Sequence, residues 1–303
     1  MITEPRVISV ILNTNRREDT LSCLESLKNN TYRNHAVIVL DNQSSDGSIE
    51  AIRSAYPDVQ IITLQSNRGY AGNNNVGINA AIAQGADWVF VLNEDTILAT
   101  DCLSRLVETG ESDSTIGVVG PMVYHHNTPD VIQSAGGLLG SRWASIHLGQ
   151  DERDCGQFAH PHEVEWVSGC GILVRREAIR QVGAIDQRYF YYWEETEWCI
   201  RIGRAGWKIV HVPLAKLWHK GVTIDHQPKP SVTYYATRNR LLTLSTHRAP
   251  PAVWAHVSTQ MVRTLTSWTI KPKWRNMREH RDAMWQGIWD FFRGNWGQRP
   301  VRD

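Results

Sequence analysis

The chain lacks any uncharged apolar run approaching the ~20 residues of a membrane span, so no transmembrane helix is expected. Cysteine is scarce. There are five, Cys23, Cys102, Cys155, Cys170 and Cys199, an odd number with no C-x-x-C pair. That excludes a thioredoxin-type redox motif and argues against a disulfide framework. The opening MITEPRVISVIL has no basic n-region and starts a strand almost at once. No secretory leader is expected, and the thiols read as reduced in a cytoplasm. Cys155, His160 and His162 lack a second close ligand pair, so no zinc site is expected. No internal repeat and no low-complexity tract is present. Net charge is only +1, which excludes a whole-chain polyanion binder, and no nucleic-acid partner is expected.

What is present is ordinary for a globular protein, with 42% hydrophobic and 21% charged residues. The 303 residues suffice for one large α/β domain with an appendage, or for two domains. Tryptophan is plentiful at 13, and six of them (Trp254, Trp268, Trp274, Trp285, Trp289, Trp296) lie in the last fifty or so residues. From Lys229 onward there are 13 Lys and Arg against 4 Asp and Glu. The near-neutral total therefore hides a basic, Trp-rich tail.

The first half alternates apolar runs with helical patterns. Strands are expected at 7–12, 35–40, 59–64 and 87–92. Helices are expected at 17–29, 48–56, 71–84 and 101–109. Short apolar runs separated by helices imply parallel strands covered on both faces, a doubly wound α/β sheet. In such sheets ligands bind outside the carboxyl ends of the strands. Here those ends read NTNR (13–16), DNQSSDG (41–47), NRG (67–69) and NED (93–95). Each alone could be an Asx turn or a helix cap. Four in succession on one sheet edge point to a site.

Hard oxygen ligands such as Asp95, with Glu94 beside it, suit Mg²⁺ or Mn²⁺ bridging a diphosphate. Asp41, one strand over, could accept from the N3–H of uracil or thymine. The Gly-rich NRGYAGNNNVG (67–77) lets backbone approach a ligand but matches neither a P-loop nor a dinucleotide fingerprint. In the second half, YFYYWEETEW (189–198) sets Glu194, Glu195 and Glu197 among aromatics. Such surroundings disfavour the charged carboxylate and make a better base. The simpler reading is an acidic first turn of a helix. Glu197, four residues before Arg201, suits an ion pair. His219 follows the strand KIVHVPLAKLWH and could be a metal ligand or only a polar strand end.

Seven segments in order carry a family resemblance: VILNTNR, VIVLDNQSSDGS, NRGYAGNNNVG, VFVLNEDTIL, SGCGILVRREAIRQVGAID, YYWEETEWCIRIGRAGW and LWHKG. Together they resemble family 2 glycosyltransferases, the inverting GT-A class, and its bacterial rhamnosyltransferase-like branch. The resemblance implies a GT-A catalytic domain over 1–245. Residues 1–110 would form a Rossmann-like nucleotide-sugar half and 111–245 an acceptor and catalytic half, with a helical extension at 246–303. It implies that Asn13, Asn15 and Arg16 line the base pocket and Asp41 binds the pyrimidine. Asn67, Gly69 and Asn75 would shape the donor site with Asn93 and Glu94. Asp95 and His219 would hold the metal, Mg²⁺ or Mn²⁺. Glu195, or its neighbour Glu194, stands at the catalytic base. Trp166, Gly169 and Trp193 fall where an acceptor would lie. Two departures stand out: Asn93 replaces the first Asp of an Asp-x-Asp motif, and Glu195 replaces the Asp usual at the base.

The implied reaction is inverting sugar transfer from a dTDP- or UDP-linked donor, with dTDP-L-rhamnose the first choice. The implied acceptor is a glycan or polyprenyl-linked glycan of bacterial cell-surface polysaccharide. UDP-hexose transfer is the alternative. A sugar nucleotidyltransferase would need a Gly-rich basic loop where NTNRRED stands, and a non-catalytic binder would have lost the carboxylates. In the tail, 252–268 and 277–292 place apolar residues at 3–4 spacing. These amphipathic helices could pack on the catalytic domain, join a homodimer, or lie peripherally on the inner face of the plasma membrane.

Overall fold

The computed structural model describes residues 4–221 and 228–300. The first half is as the alternation requires. It runs β1 (Val7–Asn13), α1 (Arg17–Lys28), β2 (His35–Asp41), α2 (Ser48–Ala55), β3 (Gln60–Thr63), α3 (Gly69–Ala83) and β4 (Trp88–Asn93). Then come β5 (Thr96–Leu98), α4 (Cys102–Ser112), β6 (Ile116–His125), β7 (Thr128–Ser134), β8 (Gly137–Leu139), β9 (Ser145–His147) and β10 (His162–Glu163). The chain continues through β11 (Gly171–Arg175), α5 (Arg176–Val182), α6 (Glu194–Arg204), β12 (Lys208–His219), α7 (Pro230–Thr246), α8 (Pro251–Ile270) and α9 (Arg278–Arg293).

The main sheet has the order β10-β12-β6-β11-β4-β1-β2-β3. β1, β2, β3 and β4 are parallel neighbours, and so are β6 and β12. β11 runs antiparallel between these two parallel sets. The sheet is therefore mostly parallel through its centre, with antiparallel β5, β7 and β10 at its margins. Two apolar layers bury its faces. One holds Val7, Ile11, Leu24 and Phe90; the other holds Ile8, Val10, Ile38 and Trp198. Alternate residues of β1 thus serve opposite layers, as strand geometry demands.

Short polar strands β7 to β10 and helix α7 carry little periodicity and were not visible in the sequence pattern. α7 is buried on both apolar and polar sides, at Tyr234, Leu241, Arg238 and Asn239. The tail helices fall where their spacing put them. α9 packs along α7, and Gly287 is the point of closest approach: a Cβ there would sit 2.7 Å from the Tyr234 carbonyl oxygen.

Candidate active site

Strand register assembles the site. β1 pairs β2 with Asn13 opposite Asp41, and pairs β4 with Leu12 opposite Asn93. The three carboxyl ends therefore share one edge. A cavity of about 630 Å³ opens beyond them. That is within the ~300–1,000 Å³ of small-molecule sites. Its wall includes Thr14, Arg16, Asn42, Asn67, Gly69, Asn93, Glu94, Asp95 and His219, faced by Phe190, Tyr191, Tyr192 and Lys229.

The meeting of Asp95 and His219 has a simple cause. After β4 the chain makes the short turn Glu94-Asp95 and enters β5. β5 pairs antiparallel with the end of β12, with Thr96 opposite His219. Residues far apart in the chain are thereby set side by side. His219 Nε2 lies 3.2 Å from Asp95 Oδ1. His219 Nδ1 is 3.1 Å from Gln133 Oε1. An amide oxygen only accepts, so Nδ1 donates to Gln133. Asp95 Oδ1 is buried and meets no well-aligned hydrogen-bond donor among the described residues, its near neighbour being His219 Nε2. A buried carboxylate oxygen and an imidazole nitrogen set side by side are ligands of the kind a divalent ion takes. The residues fit such an ion held by Asp95 and His219. Among the described residues no group of three or more His, Cys, Asp or Glu side chains forms a ready-made metal cage.

The other oxygen of Asp95 is paired. Arg16 Nη2 is 3.0 Å from Oδ2, and Arg16 Nε is 3.2 Å from Asp19. Lys220 Nζ is 3.1 Å from the same Asp19. Burial would raise the Asp95 carboxyl, but His219 and then Arg16 outweigh it and hold the group below its ordinary range. Glu94 is the reverse case. Burial, then the charge of Asp95, pushes it up to about 7. Gly221 closes the corner, because a side chain there would strike the Asp95 carboxylate.

Asn67 caps the start of α3 by accepting from Gly69 N at 2.9 Å. Gly69 has φ +72°, and a Cβ there would collide with the Phe190 carbonyl and ring. Glycine is required for both reasons. Asn13 and Asp41 lie beneath the wall: Asn13 Nδ2 donates to Asp41 at 3.0 Å, and Ser44 N donates to its other oxygen at 3.1 Å. Both are essentially inaccessible. The neighbouring Asn42 lines the cavity instead, and its Oδ1 has no partner among the described residues. Asn15, with φ +52°, is exposed and accepts from Ser45 N.

The second carboxylate pair begins α6. The approach is strained, since Phe190, Tyr192 and Trp193 all have positive φ. Such conformations cost about 1–3 kcal/mol each and persist only when overdetermined. α7 overdetermines them. Asn239 Nδ2 lies 2.7–2.8 Å from the carbonyls of Tyr189, Tyr191 and Tyr192 and shares its two N–H groups among them. Arg238 Nη2 adds the carbonyls of Arg188 and Tyr189, both at 3.2 Å. The result presents Tyr191 and Tyr192 to the cavity and sets Glu194 and Glu195 in the first turn of α6.

Glu194 is buried and its Oε2 has no partner among the described residues. Glu195 is only half-buried, and packs on Gly169. Burial raises both carboxyl pKa values, and the charge of Glu195 raises Glu194 further. Neither is a wall residue; their neighbours Tyr70 and Tyr192 are. Tyr70 Oη donates to Gly169 O at 2.6 Å. Glu197 has the structural part expected, with Arg201 at 3.0 Å, and also meets His247 at 3.2 Å.

Besides Asn13 and Asp41, which were expected at the base and lie beneath the wall, two more expectations need correction. Asn75 does not reach the cavity: it is buried and bonded to Ile185 N and O, tying α3 to the segment before Asp186. Trp166 offers no surface to an acceptor. It is 1% exposed, packed against Gly137 and His147. Trp193 is half-buried and lines a separate groove with α7 and α8. Thr14 and Asn42 lay inside recognised strand-end segments but were passed over. Gln133, Arg238 and Asn239 had no local signal at all.

A nucleotide-sugar edge on a mostly parallel sheet, with an acidic turn and a carboxylate-bearing helix, defines a glycosyltransferase of the GT-A fold. A mannosyltransferase from Pyrobaculum calidifontis, solved with GDP-Man and Mn²⁺, superposes with a TM-score of 0.61 at 14% identity, covering 96% of this chain and 88% of its own. The family model for glycosyl transferase family 2 matches residues 9–183, and the chain belongs to that family. An N-acetylglucosaminyl-diphospho-decaprenol L-rhamnosyltransferase of Mycobacterium tuberculosis is 32% identical over 216 residues, covering 65% of this chain and 70% of its own. A dTDP-rhamnosyl transferase, RfbF, of Shigella flexneri is 23% identical over 295 residues, covering 93% and 95%.

Proposed function

We infer that this chain is an inverting, metal-assisted rhamnosyltransferase of bacterial cell-surface polysaccharide synthesis. The donor is dTDP-L-rhamnose and the acceptor a hydroxyl of a lipid-linked glycan. The observation that carries the reading is the Asp95–His219 corner: a buried carboxylate and an imidazole 3.2 Å apart, beside a cavity of nucleotide-sugar size. The names of the two rhamnosyltransferase relatives support the sugar.

Each residue then has a task. The base would lie against the Thr14 and Asn42 wall of the cavity. Gly69 gives the donor room against α3. Asp95 and His219 would hold Mg²⁺ or Mn²⁺, which supplies charge neutralisation for the departing diphosphate. Arg16 and Lys229 add fixed positive charge to the same wall. Glu195 takes the proton from the acceptor hydroxyl as that oxygen attacks the anomeric carbon. Burial and then the charge of Glu195 disfavour the ionised form of Glu194, the more buried of the pair, which limits negative charge in the site. One displacement inverts the anomeric configuration, and the nucleoside diphosphate leaves. α9 presents Trp285, Trp289 and Phe292 to solvent beside basic residues, which supports docking on an anionic membrane surface.

The test is calorimetry with dTDP-rhamnose, UDP-glucose, UDP-galactose and GDP-mannose, each with and without Mn²⁺. One pyrimidine donor should bind, and only with metal. Asp95→Asn should weaken it roughly tenfold or more. Binding that is indifferent to both metal and Asp95 would sink the metal assignment, and preference for GDP-mannose would sink the pyrimidine one.

A further inference from the structure

A second cavity, of about 360 Å³, lies between the β8–β9 hairpin and helices α7, α8 and α9. Val232 borders both this groove and the donor cavity, so the two adjoin. Trp193, the residue before Glu194-Glu195, forms one wall. Val232, Ala236, Met261 and Met284 make the rest of the lining largely apolar. Methionine walls adapt to irregular chains.

One charge sits in this apolar groove. Arg240 is half-buried and has three hydrogen-bond partners, all neutral oxygens: Trp143 O at 3.2 Å, Arg142 O at 3.1 Å and Gln260 Oε1 at 3.2 Å. A guanidinium has five N–H groups, so two remain for a ligand. No carboxylate among the described residues compensates it; burial is the sole influence on its ionisation, and acts to lower its pKa. A cation held off water without a counter-charge is costly unless a ligand brings one. Arg201 is paired with Glu197. Arg238 also meets only neutral oxygens, but it has more of them than Arg240 and no exposed surface to offer a ligand.

We propose that this groove binds the acceptor's phosphate-linked isoprenoid end, with the phosphate on Arg240 and the first isoprene units against Val232, Met261 and Met284. This rests on the transferase reading above, and it gives the acceptor a direction. The lipid end lies under α8 and α9, and the sugar hydroxyl extends past Trp193 to Glu195. A free glycan would not need a buried cation beside methionines, and a neutral lipid would leave Arg240 uncompensated.

The experiment uses the full-length protein and short probes in EDTA, so that the metal-dependent donor site is silent. Farnesyl diphosphate, farnesyl monophosphate, farnesol and inorganic pyrophosphate are titrated calorimetrically. Farnesyl diphosphate should bind best, and Arg240→Gln should weaken it roughly tenfold or more while leaving farnesol unchanged. Arg240→Lys should retain part of the affinity. Thr264→Glu places a negative charge among the groove's lining residues, where it opposes a bound phosphate, and should cause a similar loss if Arg240→Gln does not fold. Equal binding of farnesyl diphosphate to wild type and Thr264→Glu would overturn the proposal. So would its displacement from wild type by excess UDP, which would place it in the donor cavity. Donor binding with Mn²⁺ is measured on the same variants and should be unchanged. If wild type binds no donor but binds farnesyl diphosphate through Arg240, the donor reading fails and the groove stands.

Discussion

Asp95 has Arg16 on one carboxylate oxygen and the His219 ring beside the other. Glu195, in the first turn of α6, is the less buried member of a carboxylate pair. The two differ in what their removal should do. Glu195→Gln keeps shape and hydrogen bonding but cannot take a proton, so kcat should fall by roughly a hundredfold or more with donor affinity within about twofold. Turnover with calorimetry on the same preparation checks both halves. Wild-type turnover would move the base to Glu194. At this scale the sequence was most legible. Asp95, His219, Glu195 and Gly69 lie in segments whose residue types are constrained by the chemistry or the turn. Gln133 was not legible, because it reaches His219 across the fold from β7 and nothing beside it in the chain marks it. Asp41 and Asn42 show the limit of neighbour resolution: adjacent residues on a strand end face opposite ways, and the pattern did not say which faced the ligand.

Among the elements, α7 is the support of the approach to α6. Its Asn239 shares two N–H groups among three carbonyls in a segment holding the positive-φ residues Phe190, Tyr192 and Trp193. Asn239→Ala should cost about 3 kcal/mol by leaving buried acceptors unpaired. Activity should fall further than the stability loss accounts for, because Tyr192 and Glu195 lose their fixed placement. Thermal unfolding and turnover below the transition separate the two effects. α7 was missed in the sequence because its polar residues are as buried as its apolar ones, which erases the stripe that betrays a surface helix. The alternating parallel half was easy for the opposite reason: each strand is a short apolar run and each helix is one-sided. β12 carries a different burden. His211 is fully buried, and neither ring nitrogen has a partner among the described residues. Burial pulls its pKa down to about 3. The unfolded chain binds this proton near pH 6.5 and the folded chain does not. His211 therefore costs nothing above pH 6.5 and costs stability as pH falls below it, towards 3. His211→Phe should remove that slope, gaining about 2 kcal/mol at pH 5 relative to pH 7.5. Chemical denaturation at the two pH values reads it directly, and an equal shift at both would assign the effect to packing.

Across the whole molecule, the basic tail is part of the same body as the catalytic sheet, since α9 lies along α7. No helix among the described residues is long and apolar enough to cross a membrane. Yet α9 leaves Trp285, Trp289 and Phe292 at 50–74% exposure. Their spacing puts them on one face, and Arg293 stacks on Trp289. Sedimentation with vesicles should show binding to anionic and not to zwitterionic lipid, weakening with salt. Replacing all three aromatics with Ser should abolish it while leaving transfer to a short soluble acceptor intact. Self-association of the wild type that the triple variant loses, without vesicle binding, would assign the face to a second copy.

The pairing of β5 with β12 has one more consequence, and it concerns synthesis. Asp95 leaves the ribosome early, but its corner is incomplete until His219 has emerged and β12 has docked beside β5. A nascent chain can fold β1 to β4 and form most of the nucleotide wall. It cannot yet set a histidine beside Asp95. If that corner holds the donor's metal as proposed, the order of synthesis leaves every unfinished chain without it.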